Sequence, residues 1–206
     1  MSILLRIVLG LLALLVVLGA AAFAMGWWLS VPQTEGDRKR IEANPQYVDG
    51  SFTNIEPQAP FDALDEVQAS LFGDEQRVPL DAVPVVPMDP AILQAKPASG
   101  ARLAWIGHAS TLIELDGVRI MTDPVFAERA SPFGFAGPKR FHPTPIALEQ
   151  LTGIDAVVIS HNHYDHLDKE TIIHLSKQGT KFLVPLGNGT LLRNWDIDPA
   201  QVIEME

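Results

Sequence analysis

Three observations predict a layered α/β fold for the part of this chain beyond Gly100. Short β-branched runs there alternate with amphipathic segments, the pattern of a sheet with helices packed against it. Asp116-Gly117, a favoured two-residue hairpin turn, separates two apolar runs. The run Ile154-Asp155-Ala156-Val157-Val158-Ile159 has the composition of a buried strand, and it leads directly into the polar segment Ser160-His161-Asn162-His163-Tyr164-Asp165-His166-Leu167-Asp168. That segment then lies in a loop at the strand's carboxyl end.

The 206 residues, 47% hydrophobic and 19% charged, suffice for one domain with a core and exclude a disordered chain. A formal charge of -10 argues against a nucleic-acid partner, since phosphate-backbone binding draws on clustered cations. Only Arg38-Lys39-Arg40 and Lys139-Arg140 cluster here. With no cysteine there is no disulfide framework and no thiolate ligand, so any metal must be held by histidine and carboxylate.

Residues 1–29 read as a membrane segment. No charge interrupts Ile7 to Leu29, and a helix of that length spans the roughly 30 Å hydrocarbon core. A cleaved signal peptide ending near Ala20-Ala21-Ala22-Phe23-Ala24 is the alternative, but the run is longer than a signal core and Trp27-Trp28 suit a membrane interface, which favours a retained single-pass anchor. Arg6 and the amino terminus favour a cytoplasmic start, placing the domain on the periplasmic or outer face; Arg38, Lys39 and Arg40 pull the other way.

Residues 30–100 read as a Pro-rich linker and wrapping arm, with one helix from Asp62 to Phe72 that presents Leu64, Val67 and Leu71 on one face and stops at Gly73. From residue 101 the expected order begins with strands Arg102–Ile106, Thr111–Leu115 and Val118–Thr122. A short helix Ile146–Leu151, strand Ala156–Ser160 and a helix Lys169–Lys177 capped by Asp168 follow. Strand Lys181–Val184, a helix near Thr190–Trp195 and a strand starting at Gln201 complete the alternation.

The polar loop carries the chemistry. It puts three imidazoles and a carboxylate into six residues, and zinc takes nitrogen from neutral imidazole and oxygen from carboxylate. Alternate side chains let His161 and His163 face one ion while Asp165 and His166 reach another. This H-x-H-x-D-H pattern at the end of a strand resembles the signature of the metallo-β-lactamase fold hydrolases. Trp105-Ile106-Gly107-His108-Ala109-Ser110-Thr111, Thr122-Asp123-Pro124 and Gly137-Pro138-Lys139-Arg140-Phe141 extend the likeness. Together they resemble the branch related to N-acyl-phosphatidylethanolamine-hydrolysing phospholipase D, over about residues 102–206.

The resemblance implies an αββα sandwich and two zinc ions, with His161, His163, Asp165 and His166 as the first four ligands and Asp165 also orienting the nucleophile. It implies that Asp123 sits beneath the metal loop, accepting a ring N–H from a ligand histidine. The family's remaining His, Asp and His lie downstream of its signature and have no match before Glu206, so the sequence reads as the amino-terminal portion of such a domain, the first half of the sandwich.

His108, at a strand end, is a candidate contact to substrate or ligand, as are Lys139 and Arg140, which suit a phosphate or carboxylate. His142 in a turn and His174 in the helix after the loop have ordinary solvated or packing roles as their default. Two zinc ions sharing a water lower its pKa toward about 7 and make hydroxide available at neutral pH. The expected function is a membrane-anchored phosphodiesterase of phospholipase D type acting on phospholipid-like substrates. A lactonase or β-lactamase-type hydrolase and a non-catalytic membrane-bound fragment are the alternatives.

Overall fold

The computed structural model describes residues 3–29, 33–56, 68 and 78–205. Its centre is a six-stranded mixed sheet whose spatial order follows the chain: β3 (Ala101–Gly107), β4 (Ser110–Leu115), β5 (Val118–Thr122), β6 (Ala156–Val158), β7 (Lys181–Pro185) and β8 (Val202–Met205). The first three strands form an antiparallel meander, and β5 through β8 are parallel. Parallel neighbours need crossovers. Helix α3 (Lys169–Ser176) supplies the one between β6 and β7, and α4 (Gly189–Arg193) lies between β7 and β8.

Both helices bury their apolar residues against one face of the sheet, where Leu112, Met121, Val157, Phe182 and Val184 meet Ile172, Leu175 and Leu192. This single helix-covered sheet fits one half of the expected sandwich; besides it the described residues form only a two-stranded sheet. A buried cross-strand pair ties the meander together: Glu114 opposes Arg119 and accepts its Nε at 2.9 Å and Nη2 at 2.8 Å, and it also accepts Arg102 Nε. Arg102, then Arg119, hold the Glu114 carboxyl below its ordinary range against the opposing effect of burial. Arg119 reaches the carbonyls of Leu93 and Thr152 as well, stitching the preceding strap to the sheet.

The strands match the sequence reading within a residue or two. The helix expected over Ile146–Leu151 is only a 3₁₀ turn, Leu148–Gln150. Between Pro145 and Gly153 there is room for fewer than two turns, and Ala147 offers no side-chain cap, so the cost of nucleating a helix is not recovered. The helix expected over Asp62–Phe72 lies outside the described residues, apart from residue 68.

The linker holds a helix that the sequence reading missed, α2 (Glu35–Ala43), and a small hairpin, β1 (Tyr47–Val48) with β2 (Ser51–Phe52). The signal for α2 was present in Thr34-Glu35-Gly36-Asp37: Thr34 Oγ1 accepts the Asp37 amide at 3.1 Å and the Asp37 carboxylate accepts the Thr34 amide at 3.3 Å, a capping box. Pairs Glu35–Lys39 at 2.8 Å and Arg38–Glu42 at 3.7 Å add i,i+4 support. Thr34→Ala is expected to lower stability by about 1 kcal/mol in urea titration, the usual worth of such a cap.

The amino-terminal membrane segment requires correction. Helix α1 covers Ile3–Leu29. Among the described residues no helix is long and apolar enough to cross a membrane. That finding overturns the single-pass anchor and the periplasmic or outer-face location that rested on it.

Candidate metal centre

Strand β6 ends at Val158, and the chain then leaves the ladder because the Ser160 amide donates to a carboxylate, Asp123 Oδ1, at 2.7 Å. The next residues turn tightly, with the amides of His166 and Leu167 both donating to the His163 carbonyl, at 2.9 and 2.8 Å. Buried Leu167 pins the turn to the core. Asp168 then caps α3, and its Oδ2 also accepts the amides of Phe126 and Ala127 and the Thr171 hydroxyl. A loop anchored at both ends has little freedom in where it points its imidazoles.

The loop gathers the expected ligands. The His161 ring lies 4.6 Å from that of His163 and 4.1 Å from that of His166, between centroids. Asp165 Oδ2 is 3.5 Å from His166 Nε2. Asp123, buried at the end of β5, sits underneath: its Oδ2 accepts His166 Nδ1–H at 2.9 Å and the Ser160 hydroxyl at 2.7 Å. Since Ser160 Oγ spends its proton on Asp123, it accepts from His161 Nδ1 at 2.9 Å. One carboxylate thus places a proton on Nδ1 of two histidines, leaving their Nε2 lone pairs free. Burial, then the neighbouring His166 and His163, lowers the His161 pKa, which favours the neutral ring a metal requires. Ser160 was missed as a site residue, although its place immediately before His161 is a usable signal.

His108 enters from the other side. Its Nε2 lies 3.1 Å from Asp165 Oδ2 and 3.4 Å from His166 Nε2, so that His108, Asp165 and His166 form a group able to hold an ion. Its position is enforced by a φ of 50° and by Trp105 Nε1, which donates to the His108 carbonyl at 2.9 Å. Asp123 likewise has positive φ, 37°. Both residues end strands and face one loop; Asp49, Asp116 and Asp196 take positive φ elsewhere.

The remaining candidates separate. Lys139 is exposed and pairs with Glu128 at 2.7 Å. Arg140 is half-buried, beside Gly107 and the metal loop, and burial lowers its pKa. His142 packs on Trp105 with centroids 5.3 Å apart and donates Nδ1–H to the Pro143 carbonyl. His174 lies in the last turn of α3, away from the cluster of rings. An open cleft of about 1720 Å³ joins the site, lined by His108, Arg140, His161, His163 and Asp165 among others. The donor set is all nitrogen and oxygen, with two rings pre-oriented, and fits a divalent ion.

Residues 118–205 match the beta-lactamase superfamily domain. The chain is 38% identical over 209 residues to an uncharacterised protein of Mycobacterium tuberculosis, covering 94% of this chain and 56% of that one. It is 46% identical over 101 residues to N-acyl-phosphatidylethanolamine-hydrolyzing phospholipase D 1 of Caenorhabditis elegans, covering 48% of this chain and 28% of that one. A metal-dependent hydrolase of Aeropyrum pernix is 34% identical over 83 residues, 40% of this chain and 29% of its own length. The chain spans about half the length of the mycobacterial relative. The histidine loop at the end of β6 lies within the segment that is similar to the beta-lactamase superfamily domain.

Proposed function

We propose that the protein acts as a zinc-dependent phosphodiesterase of phospholipase D type on lipids resembling N-acyl-phosphatidylethanolamine. The observation that carries the metal part is the shared carboxylate of Asp123, which through His166 and Ser160 turns the Nε2 atoms of two histidines outward from the loop. The substrate class is supported by the 46% identity to the nematode phospholipase D over 101 residues. In this reading His161, His163, Asp165 and His166 are the first four ligands of a two-zinc site. When bound, the ions supply a Lewis acid for a phosphoryl oxygen and acidify a water.

The chain's own residues do the rest. Asp123 and Ser160 fix the tautomers, and Asp165 is the catalytic carboxylate that orients the attacking water. His108, against Asp165 Oδ2, restrains that carboxylate.

His163→Ala is expected to lose bound zinc by elemental analysis and to abolish hydrolysis of a phosphodiester lipid. Full metal content and turnover in that variant would refute the ligand assignment. Turnover of a lactone in place of the phosphodiester by the unaltered protein would keep the metal site and remove the phosphodiesterase.

A further inference from the structure

Among the described residues, Arg140 is the cation lining this cleft that forms no ion pair. Arg38, Arg40, Arg102, Arg119 and Arg193 each meet a carboxylate, and Arg129, outside the cleft, donates to the Gly137 carbonyl. Arg140 forms no ion pair among the described residues; its Nη2 donates to the neutral Val125 carbonyl, and its buried Nε has no hydrogen-bond partner. The carboxylate that acts on it electrostatically, Asp168, already accepts the amides of Phe126, Ala127 and Glu170 and the Thr171 hydroxyl. A half-buried guanidinium left in this state is costly unless an anion completes it.

The guanidinium lines the same cleft as the metal loop. A Cβ at Gly107 would lie 2.7 Å from Arg140 Nη1 and 2.9 Å from His142 Cε1, so the missing side chain there, at φ 136°, is what admits the guanidinium. The next residue is His108, whose Nε2 touches Asp165. Arg140, His108 and the metal loop line one cleft. The neighbouring Lys139 is spent on Glu128.

We propose that Arg140, seated over Gly107, is the phosphate-recognition residue of this site, donating from its guanidinium terminus to a non-bridging oxygen of a phosphodiester whose phosphorus faces the histidine loop. The proposal rests on the phosphodiesterase reading above and adds what selects a phosphate over an uncharged carbonyl ester. The planar guanidinium fork suits a tetrahedral oxyanion, and the partly desolvated setting strengthens the contact.

The test uses the full chain and inorganic phosphate as the probe, with calorimetric titration of the unaltered protein, Arg140→Gln and Arg140→Lys, and zinc content measured in each. Arg140→Gln should weaken phosphate binding about 10- to 100-fold at unchanged zinc content, with Arg140→Lys intermediate. Should the variants fail to fold, the unaltered protein still decides: phosphate should protect Arg140, but not Arg38, from phenylglyoxal, read by peptide mass spectrometry. No saturable phosphate binding, an equal Kd in Arg140→Gln, or unprotected Arg140 overturns the proposal. Acetate competing as well as phosphate also overturns it, by making the site a carboxylate site. The metal reading fails separately, if His163→Ala keeps its zinc while Arg140 still governs phosphate affinity.

Discussion

Replacing Asp123 with Ala is expected to cost about 3 kcal/mol of stability and to lower metal affinity about 10- to 100-fold. The substitution removes the acceptor of three donors at once: the Ser160 amide, the Ser160 hydroxyl and His166 Nδ1–H. The amide is left without its partner where the chain leaves the sheet, which is the stability part. The freed imidazoles can flip or shift their proton to Nε2, which is the metal part. Urea unfolding and competition with a chromogenic chelator measure the two separately. Asp123→Asn keeps the shape and one acceptor oxygen, so it should fall between. Lost stability with unchanged metal affinity would confine Asp123 to holding the fold.

A comparable loss, about 3 kcal/mol, is expected for Asp37→Ala, far from the metal loop. The Asp37 side chain is almost fully buried and accepts the hydroxyls of Thr34 and Thr190 at 2.7 and 2.5 Å. It also accepts Arg40 at 2.7 Å and Arg193 at 3.1 Å. Arg40 continues to Glu204, which accepts the amides of Gly187 and Gly189. The network latches α2 onto the turn after β7.

Burial alone would raise the Asp37 pKa, but the bonds from Thr190, Thr34 and Arg40 outweigh it and hold the carboxyl well below its ordinary 3.8. A depressed folded pKa means that the stabilisation is complete above 3.8 and is lost as pH falls below it toward the folded value. Acid unfolding followed by circular dichroism should therefore show a steeper loss below pH 3.8 in the unaltered protein than in Asp37→Asn. Equal slopes would remove the latch.

Strand β5 was legible to the residue, because Val118 to Thr122 follows a two-residue turn and alternates cleanly between faces. The histidine loop was legible because its donors are contiguous. What lay beyond reach was long-range: that His108 meets Asp165, and that Arg140 forms no ion pair among the described residues, depends on how β3 and the loop after β5 are brought to β6. Helix α2 was masked by its own polarity, since its one apolar buried residue, Ile41, gives no periodicity. Its docking is carried by charge. The reading of the amino terminus rested on apolar composition alone, and among the described residues no helix is long and apolar enough to cross a membrane.

The strand order of the central sheet, identical to the order of the chain, bears on how the protein is made. As synthesis proceeds at about 5–20 residues per second, each of β4 to β8 emerges beside a partner already outside the ribosome. No strand waits for a distant complement, so the interval in which an open edge can recruit another nascent chain is short. Asp123 is in place before Ser160 and His166 arrive, and the histidine loop closes on a finished template.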